Sequence, residues 1–136
     1  MERERLLIDT SVLIDHLRKL HKDKTVFYQL AFHCDYIISS ITEFEFFVGS
    51  TPRNHQFIEE LLVMLPVLPF DSACVKVAAK IYRDLKAKNQ LISLPDIFIA
   101  ATAIAHDLQL LTLNRKHFER IENLKLYKIE EDKSSA

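Results

Sequence analysis

Glycine is nearly absent from this chain of 136 residues, which contains only Gly49. A dinucleotide-binding fingerprint and a phosphate-binding P-loop each need at least two glycines a few residues apart, because the backbone must approach the phosphate closely. The sequence therefore excludes both of these nucleotide sites. If the protein handles a phosphate group, it does so without a glycine-rich loop.

Cysteine is also scarce, and long apolar runs are missing. Cys34 and Cys74 have no paired spacing, so they predict neither a disulfide scaffold nor a zinc site. The longest apolar run, residues 97–105, is about half the length that spans a bilayer. The apolar run before Asp9 is too short for a signal peptide. We therefore expect a cytoplasmic protein that does not contact a membrane.

Neither sign of charge dominates the chain. Lys and Arg number 18 against 19 Asp and Glu, for a net charge of -1. This balance neither requires a nucleic-acid partner nor excludes one. The length and the 49% hydrophobic content suit one domain with its own core. We expect that domain to span residues 1–130 and to be followed by a polar tail over residues 131–136.

Short strand-like runs alternate with longer helical segments. The strand-like runs have little polar alternation, as in strands that are buried on both faces; they are residues 6–8, 36–38, 67–70, 109–112 and 125–129. The predicted helices are residues 12–20, 25–32, 42–48, 55–64, 72–88 and 96–105. The alternation predicts an α/β fold, a three-layer sandwich with a central parallel sheet of about five strands flanked by helices.

The helix predicted to begin at Asp96 differs from the others. Its interior, residues 97–105, is apolar or small on every side, so we expect a central helix that packs on several neighbours. Ser93 can cap this helix, and Pro95 suits its first turn. Asp96 is therefore an acidic side chain at the start of the most buried helix.

Several polar side chains fall where predicted strands end. They are Asp9 after the first strand, Glu43 and Glu45 after the second, Asp96 at the head of the central helix, and Asn114 after the fourth strand. Ligands of parallel α/β sheets bind at the carboxyl ends of the strands. Converging carboxylates repel one another unless they bind a cation, and oxygen ligands suit Mg²⁺ or Mn²⁺. The pattern favours metal-assisted hydrolysis of a phosphodiester.

Each acid also has a purely structural interpretation. Asp9 can be an N-cap, and Glu43 and Asp96 each lie three residues after a serine, as in a capping box. Glu43 and Glu45 lie about 200° apart around a helix, so only one can face a pocket. Gly49, one turn after Glu45, would let another segment approach. We therefore favour Glu45, with Glu43 as the cap, and expect a side chain at Gly49 to displace the helix of Glu45.

Four segments in order carry a recognisable pattern. They are residues 7–14, residues 38–45 with Gly49, residues 95–103 and residues 111–118. Together they resemble the PIN-domain ribonucleases, particularly the VapC-type toxins of toxin–antitoxin pairs. The resemblance covers nearly the whole chain and implies a PIN-like nuclease domain with a five-stranded parallel sheet. It also implies a Mg²⁺- or Mn²⁺-dependent endoribonuclease that cuts RNA, forms a homodimer and is inhibited by a cognate antitoxin protein.

The resemblance assigns roles residue by residue. Asp9, Asp96 and Glu45 correspond to the metal-binding acids, and Thr10 or Ser11 takes the hydroxyl position beside Asp9. The predicted catalytic residues are Asp9, Thr10, Glu45, Asp96 and Asn114. Relatives often have glycine before and after the helix of Asp96, where this chain has Asn89-Gln90 and His106-Asp107. We expect the asparagine and the aspartate to tolerate left-handed backbone geometry.

The fourth segment departs from the family's pattern. Many relatives have an aspartate at the position of Asn114 or His117, and this chain has neither. Asn114 can bind a cation or orient water through its amide oxygen, but it cannot act as a base. This absence motivates an alternative function, a catalytically weak PIN-like module that binds RNA or a protein through the same pocket. An aspartyl-phosphate protein is disfavoured, because residues 9–11 contain a single aspartate.

Two basic clusters and one apolar helix surround these residues. The basic residues of 18–24 and 115–117 can contact RNA phosphates, although most such clusters are solvated surface. The apolar helix contains Phe44, Phe46, Phe47 and Val48. We expect most of these four side chains in the core, with one or two lining a groove for an antitoxin helix or a second subunit.

Overall fold

A parallel sheet of four strands forms the centre of the computed structural model, which describes residues 3–129. The strands are β1 (Glu4–Ile8), β2 (Cys34–Ser39), β3 (Val67–Leu68) and β4 (Gln109–Leu111). Their order across the sheet is β3-β2-β1-β4, and all neighbours are parallel. The tail predicted over residues 131–136 lies outside the described residues.

Helices cover both faces of this sheet. They are α1 (Thr10–Arg18), α2 (Val26–Leu30), α3 (Ser40–Val48), α4 (His55–Val63), α5 (Ser72–Ala87), α6 (Leu94–Ala105) and α7 (Arg115–Phe118). The six predicted helices are all present. The sequence did not predict α7, because its single turn is too short to show a helical period. Within residues 3–129, no helix is long and apolar enough to cross a bilayer.

Successive residues of β1 point into two different cores. Leu7 packs with side chains of α5 and α6, whereas Leu6 and Ile8 pack with side chains of α1 and α4. These last three residues of β1 are fully buried. A strand that is covered on both faces needs no polar alternation, which explains its continuous apolar run. The predicted three-layer α/β fold is therefore confirmed.

The strand predicted over residues 125–129 is wrong. Only an isolated parallel bridge joins Leu110 to Leu126 there. Its hydrogen bonds run from the Leu110 N–H to the Lys125 carbonyl, 2.8 Å, and from the Tyr127 N–H to the Leu110 carbonyl, 2.9 Å. These two hydrogen bonds lie on either side of Leu126 and form a single bridge, so within residues 3–129 this segment does not continue as a strand along β4. The sheet therefore has four strands and not five.

The prediction for the apolar residues of α3 is also wrong. Phe46 is buried, but Phe44, Phe47 and Val48 are between 51% and 67% exposed. The cause is that only one face of α3 meets the sheet and its neighbouring helices, so side chains on its other face have nothing to cover them. These three residues form an exposed apolar patch.

Residues other than glycine occupy the left-handed backbone positions. Asn89 ends the turn after α5 with φ 55°, Asp107 follows α6 with φ 52°, and Asn123 has φ 68°. Short polar side chains tolerate this geometry because they can hydrogen-bond locally. The expectation for residues 89–90 and 106–107 is therefore confirmed.

His16 is a buried histidine on α1, packed between helices on one face of the sheet. It is 8% exposed, and its Nδ1 lies 2.7 Å from the Thr25 hydroxyl. Its ring centroid lies 4.8 Å from that of Phe27. Burial lowers the pKa of His16 from its ordinary value of 6.5, and the charge of Lys22 lowers it further. The folded protein therefore holds this imidazole neutral.

We expect the free energy of unfolding to fall as the pH drops below 6.5, the ordinary histidine pKa. In that range the unfolded chain binds a proton at His16 and the folded chain does not, so acid favours unfolding until the lowered folded pKa is reached. Urea unfolding from about pH 7.5 to about pH 5 measures this slope. The variant His16→Gln should be less stable but should show a shallower slope; an equally steep slope would contradict the assignment.

Candidate active site

Asp9 lies at the carboxyl end of β1, directly before α1. Its backbone N–H donates to the Leu111 carbonyl of β4 at 2.9 Å, so the pairing of these strands extends through Asp9. The residue is 3% exposed. Although it occupies the N-cap position of α1, its side chain makes no capping hydrogen bond. The interpretation of Asp9 as a capping residue is therefore wrong.

Two hydroxyl groups hold the Asp9 carboxylate through one oxygen. The Ser11 hydroxyl donates to Oδ2 at 2.7 Å, and the Thr112 hydroxyl donates to the same oxygen at 2.8 Å. Each hydroxyl also accepts a backbone N–H, from Leu113 at 3.1 Å in the case of Ser11 and from Asn114 at 2.9 Å in the case of Thr112. The orientation of the carboxylate is thereby coupled to the loop after β4.

The charged form of the Asp9 carboxyl group is electrostatically unfavourable in the folded protein. Burial raises the pKa of Asp9, the hydrogen bonds from Ser11 and Thr112 oppose this effect, and the negative charge of Asp96 raises the pKa again. Asp9 and Asp96 are therefore close enough to repel each other. A cation between two such carboxylates would favour their charged forms.

Glu45 lies on α3 and faces the start of α1. The Thr10 hydroxyl donates to Glu45 Oε1 at 2.7 Å and lies 3.0 Å from the Thr42 hydroxyl. Thr42 and Glu45 are three residues apart, which places them on the same face of the helix. Of the two hydroxyls considered in the sequence, Thr10 thus contacts Glu45, whereas Ser11 contacts Asp9.

Glu43 does not cap α3. Within residues 3–129, this side chain makes no hydrogen bond and no ion pair. The capping residue of α3 is Ser39, whose hydroxyl accepts the Thr42 N–H at 3.2 Å. The prediction that Glu43 caps the helix is therefore wrong.

Gly49 does not act as predicted. Its φ of -83° is one that any residue adopts. An added Cβ would lie 3.4 Å from the Glu45 carbonyl and 4.0 Å from that of Phe46, both ordinary contacts with its own helix. The prediction that a side chain there displaces this helix is wrong. Glu45 remains the better candidate than Glu43 for a different reason, its hydrogen bond from Thr10.

The fourth predicted segment lies beside Asp96. Asp96 occupies the first turn of α6, which Ser93 caps by accepting the Asp96 N–H at 3.4 Å. His117 Nδ1 lies 3.5 Å from Asp96 Oδ2 and 2.8 Å from Asn114 Nδ2. Asn114 and His117 are thus both at this end of the site. His117 can provide a proton donor or acceptor next to Asp96, depending on its protonation.

Sequence reasoning missed two hydroxyl residues, Thr42 and Thr112. Thr112 directly follows β4 as Asp9 directly follows β1, so the strand-end position that identified Asp9 could also have identified Thr112. Thr42 could have been found from its spacing, because it lies one helical turn before Glu45. Both residues are fully or almost fully buried, at 0% and 2% exposure respectively.

The residues fit a divalent cation held mainly by Asp9 and Asp96. Within residues 3–129, no three acidic, histidine or cysteine side chains converge in a geometry that could hold a metal ion. The three predicted ligands, Asp9, Glu45 and Asp96, are thus not brought together as one group. Mg²⁺ nevertheless binds through one or two carboxylates and completes its shell with waters and substrate phosphates. Asp9 and Asp96 could supply the carboxylates of such a site.

Comparison with known proteins gives similarity over nearly the whole chain. Residues 6–124 match the PIN domain. The chain is 35% identical to Ribonuclease VapC1 of Methanocaldococcus jannaschii, over 93% of this chain and 89% of that protein. Its fold is similar to VapBC2 from Rickettsia felis, solved bound to a DNA fragment from their promoter, with a TM-score of 0.77, 26% identity and coverage of 90% and 97%. A toxin-antitoxin complex from Klebsiella pneumoniae matches with a TM-score of 0.71, 28% identity and coverage of 91% and 99%.

The variant Asp9→Asn is expected to be more stable than the wild type in EDTA, because the amide removes a buried charge and keeps an oxygen that accepts hydrogen bonds. A gain of about 1 kcal/mol would raise the melting temperature by roughly 4 °C. Mg²⁺ or Mn²⁺ should then raise the melting temperature of the wild type by mass action and leave that of Asp9→Asn unchanged. Differential scanning calorimetry measures both effects.

Asp35→Asn is the matched control, because Asp35 is an exposed aspartate near the amino end of β2, whereas Asp9 follows the carboxyl end of β1. It pairs with Arg3 at 2.7 Å. This variant should respond to the cations as the wild type does. A cation-induced shift in Asp9→Asn as large as that of the wild type would show that Asp9 holds no metal.

Proposed function

This chain belongs to the PIN-domain family, and from that premise we propose that it is an endoribonuclease that hydrolyses RNA with the help of Mg²⁺ or Mn²⁺. The observation that carries the proposal is the Asp9 carboxylate, which is buried and held by two hydroxyls beside Asp96. RNA as the substrate is supported by the name of the similar protein from Methanocaldococcus jannaschii, a ribonuclease.

Asp9 and Asp96 are the residues that would hold the cation. Bound there, a divalent cation supplies Lewis-acid chemistry to the phosphoryl group. The hydrogen bonds from Ser11 and Thr112 keep Asp9 Oδ2 in place, so this carboxylate needs little reorganisation when RNA binds. Preorganisation of this kind is a large part of catalytic rate enhancement.

Glu45 is the proposed general base. The Thr10 hydroxyl holds it through Oε1, and its other oxygen, Oε2, accepts a proton from the attacking water. The water oxygen forms a bond to phosphorus, one ester P–O bond breaks, and the departing oxygen takes a proton from solvent. Asn114 contributes an amide that can orient the water or a phosphate oxygen, but it does not accept a proton.

A binding module without catalysis is the less favoured function. What favours it is that neither Asn114 nor His117 is the aspartate that many relatives have at one of these positions. A relative that matches 93% of this chain is named a ribonuclease, and an acid pair with a separate glutamate is present in the structure. These two observations favour an enzyme over a binding module.

We also propose that the chain is the toxin of a toxin–antitoxin pair, that it binds a cognate antitoxin protein and that it forms a homodimer. The similar structure from Klebsiella pneumoniae is a toxin-antitoxin complex. The exposed apolar patch of Phe44, Phe47 and Val48 offers a surface for protein contact, since an exposed apolar patch commonly marks an interaction site.

RNA cleavage by the purified protein is expected with Mg²⁺ or Mn²⁺ and not in EDTA. Loss of a general base costs roughly 100-fold to 10,000-fold in rate, so Glu45→Gln should be at least about 100-fold slower, and Asp96→Asn should also lose activity. Glu43→Gln, on the same helix but without a partner, should cleave like the wild type. Sequencing of the RNA fragment ends measures cleavage. Absence of cleavage with either cation, or an equal loss in Glu43→Gln, would contradict the mechanism.

Expression of the wild-type chain in a bacterial host should arrest growth if the toxin role is correct. Co-expression of the product of an adjacent small reading frame should relieve the arrest, because an antitoxin blocks its toxin by binding. Growth curves and co-purification of the two products measure this. Arrest of equal strength by Asp96→Asn would separate the growth effect from RNA cleavage and refute the toxin mechanism.

A further inference from the structure

A groove opens beside the candidate active site, between α1, α3 and α4. Its volume is about 700 Å³. Thr10 and Glu45, which belong to the site, line the groove together with two arginines, Arg18 and Arg53. Apolar side chains, including Ile14, complete its lining. The groove is therefore continuous with the place where the proposed chemistry occurs.

The two arginines of this groove have no internal role. Both are exposed, and within residues 3–129 neither makes an ion pair or a hydrogen bond. Lys19 and Lys22 belong with Arg18 to the basic cluster of residues 18–24, but both of them have partners within the protein. Lys19 pairs with Asp15 at 3.3 Å, and the Lys22 ammonium donates to two carbonyls at the end of α1, both at 2.7 Å. The fold thus uses those lysines and leaves Arg18 and Arg53 available to a ligand.

We propose that this groove binds the RNA strand next to the scissile phosphate. Arg18 and Arg53 would each contact a backbone phosphate, and one nucleotide would lie on the apolar lining. This inference rests on the proposed nuclease function. Guanidinium groups bind phosphate through two parallel hydrogen bonds, which makes arginine well suited to this task.

Two features favour RNA as the occupant of the groove. First, Thr10 and Glu45 line both the groove and the candidate active site, so a strand that is cut at the site must continue along one of its openings. Second, the groove combines its two arginines with apolar side chains such as Ile14. Grooves that bind single strands combine cationic side chains with apolar surface for the bases, and this groove has both.

RNA binding can be measured without cleavage in the Asp96→Asn background, with EDTA present. The probe is a fluorescent single-stranded RNA oligonucleotide of mixed sequence, and anisotropy at several KCl concentrations gives the slope of log Kd against log salt. Each phosphate contact that is lost flattens this slope by about 0.7 for a single strand. We therefore expect a change of about 0.7 for Arg18→Gln and for Arg53→Gln, and about 1.4 for the double variant.

Arg83→Gln is the matched control, because Arg83 is an exposed arginine of α5 that lines a different cavity. It should leave the slope unchanged. Circular dichroism melting of each variant verifies that the fold is retained, which is expected since the substituted side chains are exposed. Glutamine keeps most of the length of arginine and removes only its charge and its guanidinium group.

Four results would overturn the subsite, three from the variants and one from their parent. They are a double variant with the slope of its parent, an equal flattening by Arg83→Gln, or a loss of antitoxin binding in the double variant with RNA binding intact. Failure of the parent to bind the RNA would overturn it as well. Cleavage by the wild type is measured separately, so a nuclease whose groove variants bind RNA normally keeps the proposed function and loses only this subsite.

Discussion

The parallel pairing of β1 with a neighbour on each side is the constraint on which the site depends. Leu6 lies opposite Tyr36 of β2, and Ile8 lies opposite Leu111 of β4, so these strands run in one direction and their carboxyl ends share an edge. Side chains that are remote in sequence meet only because of this shared edge. Asp9 and Thr112 are 103 residues apart and are joined by a hydrogen bond of 2.8 Å.

The same central strand makes a buried carboxylate tolerable. Burying one large aliphatic side chain contributes about 1.5 to 3 kcal/mol, and Leu6, Leu7 and Ile8 are all fully buried just before Asp9. Their burial offsets the cost of desolvating the carboxylate, and the hydroxyls of Ser11 and Thr112 reduce that cost further. The stability of the core thus permits the unfavourable negative charge of Asp9 at the end of β1. A bound cation would reduce the electrostatic cost of that charge.

Strand ends and helix starts were the features that could be predicted from the sequence. The sequence predicts that Asp9 follows a strand and that Asp96 lies at the start of a helix, because an apolar run and a Ser-Leu-Pro start mark these elements. The sequence cannot exclude a strand at residues 125–129, because an apolar run does not show how far the segment pairs with β4 in the folded chain. The exposure of Phe44 and the role of Thr112 depend on which neighbours surround a side chain, and local spacing does not contain that information. The prediction that a side chain at Gly49 displaces the helix of Glu45 is wrong, because the backbone of Gly49 takes an ordinary conformation.

The hydrogen bonds around Asp9 have a single direction. The backbone N–H groups of residues 113 and 114 donate hydrogen bonds to two hydroxyls, and each hydroxyl in turn donates a hydrogen bond to the same carboxylate oxygen. Each hydroxyl therefore works as acceptor and donor at once. Valine, which matches the shape of Thr112, would break the chain at both ends, whereas serine would keep its polarity with less volume. Residue 112 must therefore accept one hydrogen bond and donate another at the same time, and this requirement matters more than the size of its side chain.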